Sequence, residues 1–211
     1  MTDKDATIAE IRRAFEHNEY PGDSYLQGSH EGTEPFQMVN PFKARRDWTT
    51  IEAAFLDEYY AALSFFSEAG FRFYLPAYLI ADVRGQLRTA DPLFPLTHGF
   101  SDTTVEVAAR DRTFQRMIGR TRLMNPIRYG AMTFYDHARF KLSVFTREEA
   151  GAIVGYLRHR RSIETIDHSV IDAALDSYWL ERAQTAPTAA DLQHYIAGED
   201  EFFRALKEGS S

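Results

Sequence analysis

The stretch that most constrains this chain is residues 63–84, Leu63-Ser-Phe-Phe-Ser-Glu-Ala-Gly-Phe-Arg-Phe-Tyr-Leu-Pro-Ala-Tyr-Leu-Ile-Ala-Asp-Val-Arg84. From residue 71 to 83 nearly every position is apolar or aromatic. A helix apolar on all sides is either a membrane span or the buried central helix of a globular domain. Arg72, Asp82 and Arg84 keep the apolar run short of the roughly 20 residues a span needs. The stretch therefore predicts a core helix with Phe71, Leu75, Tyr78 and Leu79 buried. Ser67 is placed to cap its first turn. Pro76 lacks the N–H that would reach the Arg72 carbonyl and should kink the helix. Gly85 ends it.

The rest of the chain can supply a core around such a helix. With 44% hydrophobic and 14% aromatic residues in 211, a single domain over residues 1–211 needs no disulfide or metal staple. Cysteine is absent, which excludes disulfides, thiolate zinc sites, iron–sulfur ligation and a cysteine nucleophile, and suits a reducing compartment. No signal-peptide pattern opens the sequence, and the expectation is a soluble cytoplasmic protein without membrane contact. The net charge of −7 argues against general nucleic-acid binding. That charge is unevenly spread. Residues 108–128 hold Arg110, Arg112, Arg116, Arg120, Arg122 and Arg128 against one acid, Asp111, so the segment carries +5 and the remainder −12 (−7 minus +5).

Apolar periodicity predicts a first helix over residues 5–17, with Ile8, Ile11, Ala14 and Phe15 on one face, ended by Tyr20-Pro-Gly-Asp23. Residues 24–46 have no sustained period and read as a long surface loop. A second helix is expected over 51–63, docked through Trp48, Ile51, Phe55 and Leu56. Another is expected over 112–123, ended by Asn125-Pro126. Thr146-Arg-Glu-Glu149 is a capping box; its helix turns Ala150, Ile153, Val154 and Leu157 inward and ends in Arg158-His-Arg-Arg161, where cations complement the helix dipole. Two more helices follow, over 169–183 and 189–206, the second with Leu192, Tyr195, Ile196, Phe202 and Phe203 inward. The fold class is thus mainly α: about six helices bundled around a Pro-kinked central one. At most a small β element is expected, near 36–39 or 103–107.

Ile11-Arg-Arg-Ala-Phe15 with Tyr20-Pro-Gly-Asp23, and Asp47-Trp48 followed by Ala62 through Leu79, resemble an uncharacterised bacterial family, a domain of unknown function. Arg139-Phe140, Phe145-Thr146, Ile153, Tyr156-Leu157 and Tyr178-Trp179 are similar to its C-terminal half. The resemblance leaves out residues about 100–135, which look like an insertion. It implies a fold but no activity, cofactor or catalytic residue.

No chemistry-bearing motif is specific. His17, His30, His98, His137, His159, His168 and His194 form no H-x-x-x-H or H-E-x-x-H pattern, so no metal site is expected; His30-Glu31 and Asp136-His137 are where one would be sought. There is no G-x-S-x-G and no phosphate-cradling glycine loop, and no cofactor is expected. Arg112, Arg116 and Arg120, at i, i+4 and i+8, would share one helix face. Guanidinium groups suit bidentate capture of carboxylate or phosphate. The bland reading pairs them with the domain's own carboxylates; the sharp one gives the Arg-rich stretch at 110–128 an acidic protein partner. Tyr74, Tyr78 and the Pro76 kink either line a pocket or simply pack. The leading functional expectation is a non-enzymatic protein acting by protein–protein contact, in the manner of accessory or immunity proteins. The alternative is an enzyme or small-ligand-binding protein with a pocket beside the helix at 68–84 and residues from 129–143, Asp136 and His137 among them.

Overall fold

A computed structural model describes residues 2–109, 112–163 and 168–209. Its helices are α1 (Asp3–Ala14), α2 (Glu34–Val39), α3 (Ala53–Glu58), α4 (Ala62–Phe65), α5 (Glu68–Val83), α6 (Leu93–Thr97), α7 (Pro126–Tyr129), α8 (Phe134–Leu142), α9 (Arg147–Ile163), α10 (His168–Ala174), α11 (Leu180–Thr185) and α12 (Ala189–Gly209). A π-helical turn, Leu175–Trp179, joins α10 to α11. Strands β1 (Thr103–Ala109) and β2 (Arg112–Ile118) pair antiparallel, from Thr103 opposite Ile118 to Ala109 opposite Arg112. The fold is mainly α, with more helices than the six expected.

The central helix is where the apolar run put it. Phe71, Tyr74, Leu75, Tyr78 and Leu79 are fully buried, and α5 runs through Pro76. The Ser67 hydroxyl accepts the Gly70 N–H at 3.0 Å. Gly85, at φ +70°, closes the other end: its N–H reaches the Asp82 carbonyl and that of Gln86 reaches Ala81. These two bonds satisfy carbonyls that the helix end would orphan, in a left-handed turn that glycine adopts without strain. The helices α1 and α9 pack on each other and both touch α5. Phe145 knits the layers together, its ring edge-on to Phe15 and Phe71 and tilted against Trp179. Thr146 and Glu149 form the expected cap, Glu149 accepting the Thr146 N–H at 2.8 Å.

Four expectations are corrected. Residues 24–46 are not a surface loop: Leu26, Val39 and Phe42 are fully buried. Phe42 packs against Tyr74 at 4.8 Å between ring centroids, and α2 occupies 36–39, where a strand was considered. Residues 112–118 are strand, not helix, so the small β element lies at the 103–107 location, extended to a hairpin. The second expected helix is split at Tyr59 into α3 and α4. The helix at 189–206 exists, yet Tyr195, Ile196, Phe202 and Phe203 are exposed, not inward. Among the described residues, no helix is long and apolar enough to cross a membrane.

Candidate functional site

The exit of the hairpin is tied to the start of α8. Tyr135 and Phe134 donate their N–H groups to the carbonyls of Arg120 and Arg122, at 3.2 and 3.0 Å. This places the Arg120 guanidinium 4.7 Å from the centroid of the Tyr135 ring. One turn along α8, Arg139 lies 5.5 Å from the same ring and 5.8 Å from that of Tyr178, and its Nη1 donates to the Tyr135 hydroxyl at 2.9 Å. The hydroxyl in turn donates to the Ser177 carbonyl, in the π-helical turn, at 3.2 Å. Arg120 and Arg139 are exposed, and neither forms an ion pair with a carboxylate among the described residues. A cation over an exposed aromatic face is held by about 0.5–1 kcal/mol, which orders the guanidinium without using up its N–H donors. The exposed Phe140 extends this edge with apolar surface.

The sequence-derived candidates divide between this edge and the core. Arg112 and Arg116 belong to β2. At about 3.3 Å per residue, four positions along a strand span about 13 Å, so the helical stripe with Arg120 does not exist. Arg110 and Asp111 lie outside the described residues. Arg128 pairs with Glu31 across the surface. Tyr74 and Tyr78 are core: the Tyr74 hydroxyl donates to the Phe42 carbonyl at 2.7 Å and to that of Arg45 at 3.1 Å. Asp136 caps α8, and its hydrogen bonds to the Thr133 hydroxyl and N–H hold its carboxyl below the usual range. It also lines a shallow hollow of about 400 Å³ with Arg120 and Tyr135. His137 is half-buried, edge-on to Tyr129. Burial and the nearby Lys141 push its pKa down, while Glu68 opposes them. No group of three His, Asp or Glu residues among those described is placed to hold a metal ion.

A second concavity, of about 810 Å³, opens where the end of α1 and the starts of α5, α9 and α12 meet. Its floor is an ion pair: Arg72 Nε donates to both oxygens of Glu149, at 3.0 and 2.9 Å, while Glu149 is only 2% exposed. The terminal nitrogens of Arg72 have no partner among the described residues, and Arg13 and His17 stand on the wall. Sequence reading marked Glu149 as a cap and Arg72 as the edge of an apolar run, and missed that they meet. It also missed Tyr135 with Arg139, although their i, i+4 spacing in the aromatic and basic stretch at 129–143 was available to find them.

These features define a mainly helical protein built on a buried aromatic helix, with a cationic, aromatic edge and one charged cleft. The chain belongs to a family described as "Family of unknown function (DUF6714)", which it matches over residues 3–183. That span includes the Arg-rich stretch and stops before α12. No curated protein and no solved structure matches the chain.

Proposed function

We propose that this protein works by protein–protein contact, as an accessory or immunity-type protein of the bacterial cytoplasm, and that it recognises an acidic partner through the edge formed by Arg120, Tyr135 and Arg139. The observation that carries the reading is that these two guanidiniums are ordered on one tyrosine ring yet spend no N–H on a carboxylate among the described residues. Residues 1–211 act as one domain in this reading, in which the segment at about 100–135 is an insertion that supplies Arg120 and Tyr135 while α8 adds Arg139. The test is binding of a glutamate- and aspartate-rich peptide at low and high salt. Binding should be saturable, weaken as salt rises because exposed charges are screened over about 8–10 Å, and fall in Arg120→Gln. Salt-independent binding, or turnover of phosphate esters by the purified protein, would overturn it.

A second reading, a small-ligand-binding protein, is favoured by the cleft beside the first turn of α5, where Arg72 keeps unspent donors over a buried carboxylate. Thermal-shift screening of small anions against the native protein and Arg13→Gln separates the two. A stabilising ligand lost in Arg13→Gln but kept in Arg120→Gln would favour the cleft.

A further inference from the structure

Beyond the partner edge, the side of α8 that faces α11 holds a smaller pocket of about 300 Å³, walled by Arg139, Ser143, Tyr178, Glu181 and Arg182. Tyr178 lies in the π-helical turn. Such a turn is rare, re-aims the side chains of its helix and is frequent at functional sites. Tyr178 is 5% exposed, and its hydroxyl is buried with no hydrogen-bond partner among the described residues. An unsatisfied buried hydroxyl is destabilising, and phenylalanine would remove the penalty while keeping the stacking on Phe100. Arg182 sends Nη2 to the carbonyls of Ser143 and Phe145, which anchors it, and its Nε is likewise buried without a partner. Neither Arg139 nor Arg182 forms an ion pair among the described residues, and Glu181 sits exposed at the rim.

We propose that this pocket is a binding site for a phosphate monoester, its oxygens taken by the Arg139 and Arg182 guanidiniums and by the Tyr178 hydroxyl as donor. Two fixed cations match a group that carries close to two negative charges at neutral pH. Three donors carried by separate elements, α8, the π-helical turn and α11, suit a tetrahedral oxyanion better than a flat carboxylate. Burial raises the Tyr178 phenol to about 12, against the pull of Arg182 and Arg139, so the hydroxyl keeps its proton for donation. A phosphate oxygen would give the Tyr178 hydroxyl the acceptor it lacks among the described residues.

Calorimetric titration with inorganic phosphate, O-phosphoserine, a phosphoserine peptide and malonate tests the site. The phosphate compounds should bind saturably and raise Tm; a tighter phosphopeptide points to a protein source of the phosphate, equal affinities to a small metabolite. Tyr178→Phe should raise the ligand-free Tm and weaken phosphate binding by about tenfold or more, the loss of one charge-assisted hydrogen bond. Arg182→Lys, which keeps the charge, should also weaken it. Equal binding of malonate, no saturable phosphate binding, or unchanged binding in Tyr178→Phe would each overturn the proposal. Arg120 does not line this pocket, so Arg120→Gln should leave phosphate binding intact while reducing acidic-peptide binding. The two proposals can therefore fail separately.

Discussion

Two sets of arginines divide this molecule. Arg72 and Arg160 stand on α5's flanks, each with most of its side chain out of water, and each is neutralised: Arg72 by Glu149, Arg160 by Asp82 through two contacts of 2.9 Å. Asp82 also accepts the buried Tyr156 hydroxyl at 2.6 Å. Arg120 and Arg139 are at the opposite extreme, in water and resting on a tyrosine ring. The difference follows from solvation. A cation withdrawn from water costs several kcal/mol unless a carboxylate meets it, so the inner arginines must be paired and are scaffold. An exposed cation has no such requirement, and the guanidiniums of the outer set meet no carboxylate among the described residues.

Four measurements can break or sharpen that division. Leu75→Ala sets the scale for the inner region: truncating a fully buried leucine on α5 should lower stability by about 2–5 kcal/mol in urea denaturation. Arg72→Ala should approach it, at about 3 kcal/mol, because Glu149 would be left buried without its counter-charge. If Arg139→Ala proved equally costly, the outer arginines would be scaffold too.

Acid sensitivity should come next in size. Burial depresses the pKa of His98, with His137 adding to the effect, and that of His137, with Lys141 adding and Glu68 opposing. Both rings thus take up protons less readily folded than unfolded. The stability this represents is complete above the unfolded value near 6.5 and is lost as pH falls below it. Asp91, whose carboxyl burial raises, runs the other way at lower pH. Denaturation midpoints at pH 7.5 and 5.5 should differ in the native protein and converge in His98→Phe with His137→Phe; an unchanged difference would show that other groups carry it.

The smallest effect belongs to the outer set. Replacing Arg120 by glutamine should lower stability by no more than about 1 kcal/mol, the cation–π contact with Tyr135 being what it gives up, while acidic-peptide binding falls. A larger loss of stability would mean that Arg120 is held by the chain's own carboxylates.

What the sequence determined by itself is whatever its neighbours in the chain could satisfy. The apolar run at 71–83 has only one soluble use, and the caps at Ser67 and at Thr146 with Glu149 close within three residues, so the central helix and α9 were legible. Tertiary structure decided the rest. Residues 112–118 are strand because β1 lies beside them, and strand preference depends on the partner and the packing more than on intrinsic propensity. Phe42 is buried because Tyr74 and Phe66 meet it from distant positions. The apolar side of α12 has the period of a packed helix, and a period cannot supply a surface to pack on. The site was hidden for the same reason. The arginines were visible as a charge block, but which of them meet a carboxylate, which meet a ring, and that the Tyr178 hydroxyl finds no hydrogen-bond partner among the described residues are settled only when α8, α11 and the hairpin exit come together. Pairing across long sequence separations is a property of the folded chain, and no local pattern encodes it.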